Sequence, residues 1–137
     1  MAASDKLEAL ELSARPIVLV VDDVVLVRML VADSLRGRGF QVIEAGSGEE
    51  ATRLLQSDQP VSIVLTDIYM PAAELDGVGL ARWIGSHRPE VKVVVGSGVI
   101  SSLDANDAPL FVGPVVPKPY DWNALEQRLR AAMSEAR

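Results

Sequence analysis

Side chains that could carry chemistry follow four of the short apolar runs in this sequence: Asp22 and Asp23, Asp67, Ser97, and Lys118. Three carboxylates gathered in a crevice of low dielectric repel one another, and a bound cation or a raised pKa relieves that repulsion. Oxygen ligands without a neighbouring His or Cys favour Mg²⁺. Together with an ammonium and a hydroxyl, such a cluster suits phosphoryl transfer, because a carboxylate can be the nucleophile while cation and Lys neutralise the phosphoryl oxygens.

Each of these residues alone also has a simpler interpretation. Asp22 and Asp23 could be a helix cap with a solvated neighbour, and Asp67 could cap a turn. Lys118 stands between two prolines and could be a surface residue of a rigid loop, whereas Ser97 stands between two glycines and could belong to a turn. Their occurrence after successive strands, in this order, favours the functional interpretation.

The elements that must position these residues alternate between strand and helix. Short β-branched runs predict five strands, at Ile17–Val21, Gln41–Ala45, 61–66, 91–95 and 111–116. Apolar residues at helical spacing predict a helix after each of the first three strands and after the last, with Ser47 and Glu50 forming a capping box and Asp121 capping the last helix. This alternation predicts a doubly wound parallel α/β sheet, in which ligands bind at the carboxyl ends of the strands.

Two segments depart from the regular pattern. Residues 1–15 are polar and helix-tolerant and end near Pro16, which predicts a tail or a short extra helix outside a domain spanning residues 16–137. Residues 99–110 carry Ser, Asp, Asn and Pro, so a helix there is expected to be short or irregular.

Composition excludes several classes of function. The chain has 137 residues, enough for one core, and a net charge of −6 with scattered basic residues, which argues against a nucleic-acid surface. Cysteine is absent, so disulfides and thiolate sites are excluded. No apolar run approaches the roughly 20 residues of a membrane span, and we expect a cytoplasmic protein with no membrane partner.

Five motifs in order resemble the receiver domain of two-component response regulators, over about residues 16–135. They are Val20-Val21-Asp22-Asp23 with Arg28, Leu65-Thr66-Asp67-Ile68-Tyr69-Met70-Pro71, Asp76-Gly77, Val95-Gly96-Ser97-Gly98, and Lys118-Pro119-Tyr120. The resemblance implies a five-stranded, flavodoxin-like (CheY-like) parallel sheet with strand order 2-1-3-4-5.

The resemblance also implies roles for individual residues. Asp67 would be the phospho-acceptor, with Mg²⁺ held by Asp22, Asp23, Asp67 and the main-chain carbonyl of Tyr69. Ser97 and Lys118 would contact the phosphoryl oxygens. The donor would be a phosphohistidine on a sensor histidine kinase or a histidine phosphotransfer protein.

Three features differ from the family pattern, and one of them is the irregular segment between Ser97 and Lys118, where the family normally has its fourth helix. The position three residues before the Lys usually carries an aromatic switch that acts with Ser97, and here it is Val115. The loop from Met70 to Gly77 is longer than usual by about two residues. Tyr69 and Val99 occupy the positions that influence loss of the phosphoryl group, and neither presents a carboxylate or amide to an attacking water, which predicts slow autodephosphorylation.

These features predict a signalling module of the single-domain type that can be phosphorylated. We expect it to catalyse at most its own phosphorylation and slow dephosphorylation, and no other reaction. Its output would pass through contact with a downstream protein, and homodimer formation is left open. The alternative is a receiver-like scaffold that binds a partner without phosphorylation, which Val115 and the irregular segment favour mildly. A small hydrolase is a distant third, because a separate nucleophile and base are lacking.

Overall fold

The fold is seen in a computed structural model that describes residues 3–71, 73–98 and 103–135. Its centre is one parallel sheet with the strand order β2-β1-β3-β4-β5, which is the predicted order. The strands are β1 (Ile17–Val21), β2 (Gln41–Ala45), β3 (Ile63–Asp67), β4 (Lys92–Ser97) and β5 (Val116–Pro117). The order changes direction between β1 and β3, which is where an open α/β sheet forms its ligand crevice.

Five α-helices and one short 3₁₀ helix accompany the sheet. They are α1 (Ala3–Ser13), α2 (Val25–Arg36), α3 (Gly48–Gln56), α4 (Gly77–His87), α5 (Trp122–Ser134) and the 3₁₀ helix Ala108–Leu110. The N-terminal segment therefore forms an extra helix, and residues 4–11 of it are all exposed. None of the helices in the described ranges is long and apolar enough to cross a membrane.

Side-chain caps begin three of these helices where the sequence places a capping residue. The Ser47 hydroxyl accepts from the Glu50 amide at 3.1 Å, and the Glu50 carboxylate accepts from the Gly46 amide at 3.3 Å. Asp76 and Asp121 cap α4 and α5 in the same way, at 2.8 and 3.0 Å. These bonds satisfy amides that the first helical turn leaves without partners.

Hydrophobic cores cover both faces of the sheet, because successive strand residues point to opposite faces. Leu19, Val64 and Val93 pack with residues of α3 and α4 on one face. Val18 and Leu65 belong to a second cluster, which contains residues of α2 and α5. Burial on both faces explains why β1, β3 and β4 are continuous apolar runs rather than alternating ones.

β5 is shorter than predicted. The sequence predicts a strand over residues 111–116, but only Val116–Pro117 pair with β4. Gly113 has a φ of +73°, and Pro114 and Pro117 lack the amide that a strand ladder requires. One bond upstream remains, from the Val112 amide to the Val93 carbonyl at 2.8 Å.

The segment between β4 and β5 is irregular, as predicted. Within its described part, residues 103–115, the helical content is the single turn Ala108–Leu110. The Asp104 carboxylate accepts from the Asn106 amide at 3.0 Å, a local turn that competes with helix. Residues 99–102, and with them Val99, lie outside the described residues.

Candidate phosphoryl-acceptor site

Three carboxylates meet at the carboxyl edge of the sheet. Asp22 and Asp23 follow β1, Asp67 ends β3, and these two strands are parallel neighbours in the register Val21 to Thr66. One carboxylate oxygen from each Asp lies within 4.8 Å of the others. The structure therefore brings together the three Asp residues that the sequence nominates.

Asp22 is the most enclosed of the three, with 3% of its surface exposed. One carboxylate oxygen accepts from the Val24 amide at 2.9 Å, and the other accepts from the Lys118 ammonium at 2.6 Å. The first bond closes a local turn and is not the predicted helix cap, because α2 has Val24 at its N-cap and no side-chain cap bond. The second bond connects Asp22 to Lys118.

Lys118 reaches the cluster from the loop after β5. Its amide donates to the Ser97 carbonyl at 2.9 Å, which holds the loop against β4. Its ammonium nitrogen lies 3.4 Å from an Asp67 carboxylate oxygen as well as 2.6 Å from Asp22. The peptide bond from Lys118 to Pro119 is cis.

Ser97 is the last residue of β4 and is buried. The register pairs Asp67 with Gly96 and Ser97 with Pro117. Ser97 thus lies between the strand that carries Asp67 and the loop that carries Lys118.

The electrostatics of the cluster favour a cation. Burial raises the pKa of the Asp67 carboxyl above its usual value, and the neighbouring Asp22 charge raises it further, while Lys118 acts in the opposite direction. One ammonium does not balance three carboxylates at this distance. A small divalent cation that prefers oxygen ligands, such as Mg²⁺, fits the set of donors.

Tyr120 lies beside the site. The sequence places it in the motif Lys118-Pro119-Tyr120 but predicts no role for it. Its hydroxyl packs against Gly96, where an added Cβ would come within 1.8 Å of the hydroxyl oxygen. Burial, and then the charges of Asp22 and Asp67, raise the pKa of Tyr120 well above its usual range. The sequence signal for this contact is Gly96 in the motif Gly96-Ser97-Gly98. A glycine is required there by the close approach of Tyr120 rather than by a turn.

Two further positions that the sequence singles out, Val115 and Tyr69, belong to the described residues. Val115 is partly buried and packs against the core beside α3 and α4. The Tyr69 side chain is 67% exposed. The loop that follows Tyr69 is tied to α3 by the Leu75 amide, which donates to the Glu49 carboxylate at 2.8 Å.

Comparison with known sequences identifies relatives of most of the chain. The sequence model of the response regulator receiver domain matches residues 18–130. A response regulator described as NtrX-like, from Rickettsia felis, is 37% identical over 117 residues, which are 84% of this chain and 24% of that protein. The chain thus spans about a quarter of that relative's length.

Solved structures show the same architecture. The receiver domain of NtrX from Brucella abortus superimposes with a TM-score of 0.77 at 27% identity, covering 87% of this chain and 99% of that one. The response regulator TrrA from Thermotoga maritima, solved in complex with Mg²⁺-BeF, gives a TM-score of 0.75 at 22% identity over 85% of this chain and 98% of that one.

Proposed function

Because the chain belongs to the family of response regulator receiver domains, which are signalling domains, we propose that Asp67 accepts a phosphoryl group from a phosphohistidine. The donor would be a sensor histidine kinase or a histidine phosphotransfer protein. The observation that supports this most is the position of Asp67 at the sheet edge, within 3.4 Å of the Lys118 ammonium and beside Asp22 and Asp23.

The chemistry requires an Asp67 carboxylate oxygen to attack phosphorus while the bond from phosphorus to the donor's imidazole nitrogen breaks. An acyl phosphate forms on Asp67, and the imidazole keeps the bonding electron pair and takes up a proton. Lys118 already lies near Asp67, so its ammonium can meet a phosphoryl oxygen with little movement. The Ser97 hydroxyl is proposed to hold a second oxygen.

Mg²⁺ would be held by Asp22, Asp23, Asp67 and the main-chain carbonyl of Tyr69. It would neutralise charge between Asp67 and the incoming phosphoryl oxygens. Asp22 already accepts from Val24 and Lys118, so Asp23 and Asp67 are the more open carboxylates. The Mg²⁺-BeF complex of the TrrA structure is consistent with such a site in this fold.

A surface for the donor protein adjoins the acceptor site. Five large apolar side chains between Val24 and Leu30 are exposed at the start of α2: Val24, Val25, Leu26, Met29 and Leu30. One of them, Leu30, also lines a cleft of about 620 Å³ together with Val27, Tyr120 and Trp122, and this cleft extends to Lys118. Because phosphoryl transfer needs the donor histidine at Asp67, we propose that the donor docks on this apolar face.

Intact mass measurement after incubation with acetyl phosphate and Mg²⁺ tests the proposed acceptor. We expect the wild-type protein to gain one phosphoryl group and Asp67→Ala to gain none. Asp58→Ala, which removes an exposed carboxylate outside the site, serves as the matched control and should label like the wild type. Labelling of Asp67→Ala at the wild-type level would contradict the assignment.

A scaffold that needs no phosphorylation is the second candidate, favoured by Val115 at the switch position and by the irregular segment before β5. It predicts no labelling of the wild type by acetyl phosphate or by kinases. It also predicts that Asp67→Ala binds the downstream partner as the wild-type protein does.

A further inference from the structure

Arg28 connects α2 to the backbone of the acidic cluster. Its side chain is 18% exposed, and its Nη1 donates to the main-chain carbonyl of Asp22 at 2.9 Å. Its Nε lies 3.4 Å from a carboxylate oxygen of Glu44 on β2. The guanidinium therefore holds two elements of the fold at the point where β1 ends.

The Asp22 carbonyl belongs to the peptide plane that joins Asp22 to Asp23. The other polar groups of Asp22 are also held, since its amide donates to the Ala45 carbonyl at 3.1 Å and its carboxylate accepts from Val24 and Lys118. The described residues offer the Asp23 carboxylate no hydrogen bond or ion pair. The direction of the Asp23 side chain thus depends on the backbone to which it is attached.

We propose that Arg28 is a positioning residue for the cation site, which strengthens Mg²⁺ binding by fixing the peptide between Asp22 and Asp23. This inference rests on the proposed function, in which Asp23 and Asp67 hold Mg²⁺. Residues behind metal ligands commonly set affinity in this way, because they determine the orientation of the ligands.

The positive charge of Arg28, taken alone, would have the opposite effect on Mg²⁺ binding. A guanidinium close to a cation site repels the cation, so removal of the charge alone would strengthen Mg²⁺ binding. Loss of positioning would weaken it. The sign of the change in Mg²⁺ affinity therefore separates the two roles.

Calorimetric titration of the metal-free protein with Mg²⁺, at constant ionic strength, tests the proposal. We expect Arg28→Gln to weaken Mg²⁺ binding about tenfold, which is typical for a lost contact behind a metal ligand. Arg28→Lys should weaken it in the same direction, because one ammonium cannot reproduce the fork that spans the Asp22 carbonyl and Glu44. If charge alone mattered, Arg28→Lys would bind like the wild type.

Arg36→Gln is the matched control, because Arg36 lies on the same helix and also pairs with Glu44, at 3.6 Å. It should leave the Mg²⁺ dissociation constant unchanged. Thermal unfolding in EDTA reports whether each variant folds, and Arg28→Lys alone decides the question if Arg28→Gln does not fold. Equal or tighter Mg²⁺ binding by folded Arg28 variants would overturn the positioning role. A wild-type protein that binds no Mg²⁺ would overturn the cation site itself.

Discussion

Asp67 is held in a position that disfavours its own charge in the metal-free protein. It is partly buried and lies near Asp22, and both conditions raise its pKa, while Lys118 compensates only in part. A bound cation would offset this effect, and in the proposed transfer Lys118 would afterwards pair with the phosphoryl group. The charge of Asp67 should therefore lower the stability of the protein when no cation is bound.

This cost can be measured through its pH dependence. A carboxyl whose pKa is raised in the folded state contributes stability below its unfolded pKa, about 3.9 for Asp, and loses that contribution as pH rises through the folded value. We expect Asp67→Asn to raise Tm in EDTA at pH 7, with an advantage that shrinks as pH falls towards 4. Thermal unfolding between pH 4 and 8 measures it.

Asp33→Asn, on the exposed side of α2, is the control and should change Tm little at any of these pH values. An advantage of Asp67→Asn that stays constant over this pH range would show that its cause is not the charge of Asp67.

At the scale of elements, the start of α4 lies directly against the backbone of Asp67, the proposed acceptor. Asp76 caps this helix, and the Gly77 amide donates to the Ile68 carbonyl at 3.0 Å. A Cβ added to Gly77 would come within 2.1 Å of the Asp67 carbonyl oxygen. The absence of a side chain at Gly77 therefore allows the helix to approach the strand end that carries Asp67.

Two Gly→Ala changes in α4 test this close approach. Gly77→Ala should lower the free energy of unfolding by about 2 kcal/mol, a common cost of overpacking, and should slow labelling by acetyl phosphate, because the Asp67 backbone must shift. A Cβ added to Gly85 would meet no atom within 4 Å. Gly85→Ala should therefore raise the free energy of unfolding by about 0.5–1 kcal/mol, since Ala has a higher helix propensity than Gly. Denaturant unfolding of both variants measures the difference, and a Gly77→Ala protein as stable as Gly85→Ala would contradict it.

The strands differ in how well the sequence predicts their bounds. β1 and β2 match their predicted bounds, because apolar runs of the right length are bounded by turn residues. β5 does not, since Gly113 and Pro114 interrupt its ladder within an otherwise apolar run. Strand formation there depended on pairing with β4, which a local pattern does not contain.

At the scale of the whole molecule, the exposed apolar face of α2 is the surface on which we propose that a donor docks. Leu26 is 79% exposed although it lies only three residues after Asp23. Residues of this kind are costly to leave in water unless a partner covers them.

Leu26→Glu should slow phosphoryl transfer from a protein donor but not from a small-molecule donor. We expect phosphoryl transfer from a kinase that labels the wild type to slow about fivefold or more, as for a contact worth about 1 kcal/mol, whereas labelling by acetyl phosphate stays unchanged. Leu10→Glu makes the same exchange on the exposed helix α1 and is the control. The docking proposal fails if Leu26→Glu and Leu10→Glu accept from the kinase at equal rates.

The sequence alone determined the alternation of strands and helices, the strand order through family resemblance, and the set of polar residues at the strand ends. The alternation and the polar residues are properties of short segments, which periodicity and capping residues report directly, whereas the strand order was implied only by the resemblance. Only the tertiary structure decided which atoms meet: the ammonium of Lys118 on Asp22, 96 residues away, the Tyr120 hydroxyl on Gly96, and the Arg28 guanidinium on the Asp22 carbonyl. Such contacts depend on how the helices pack across the sheet, so no local pattern around Asp67 could have specified them.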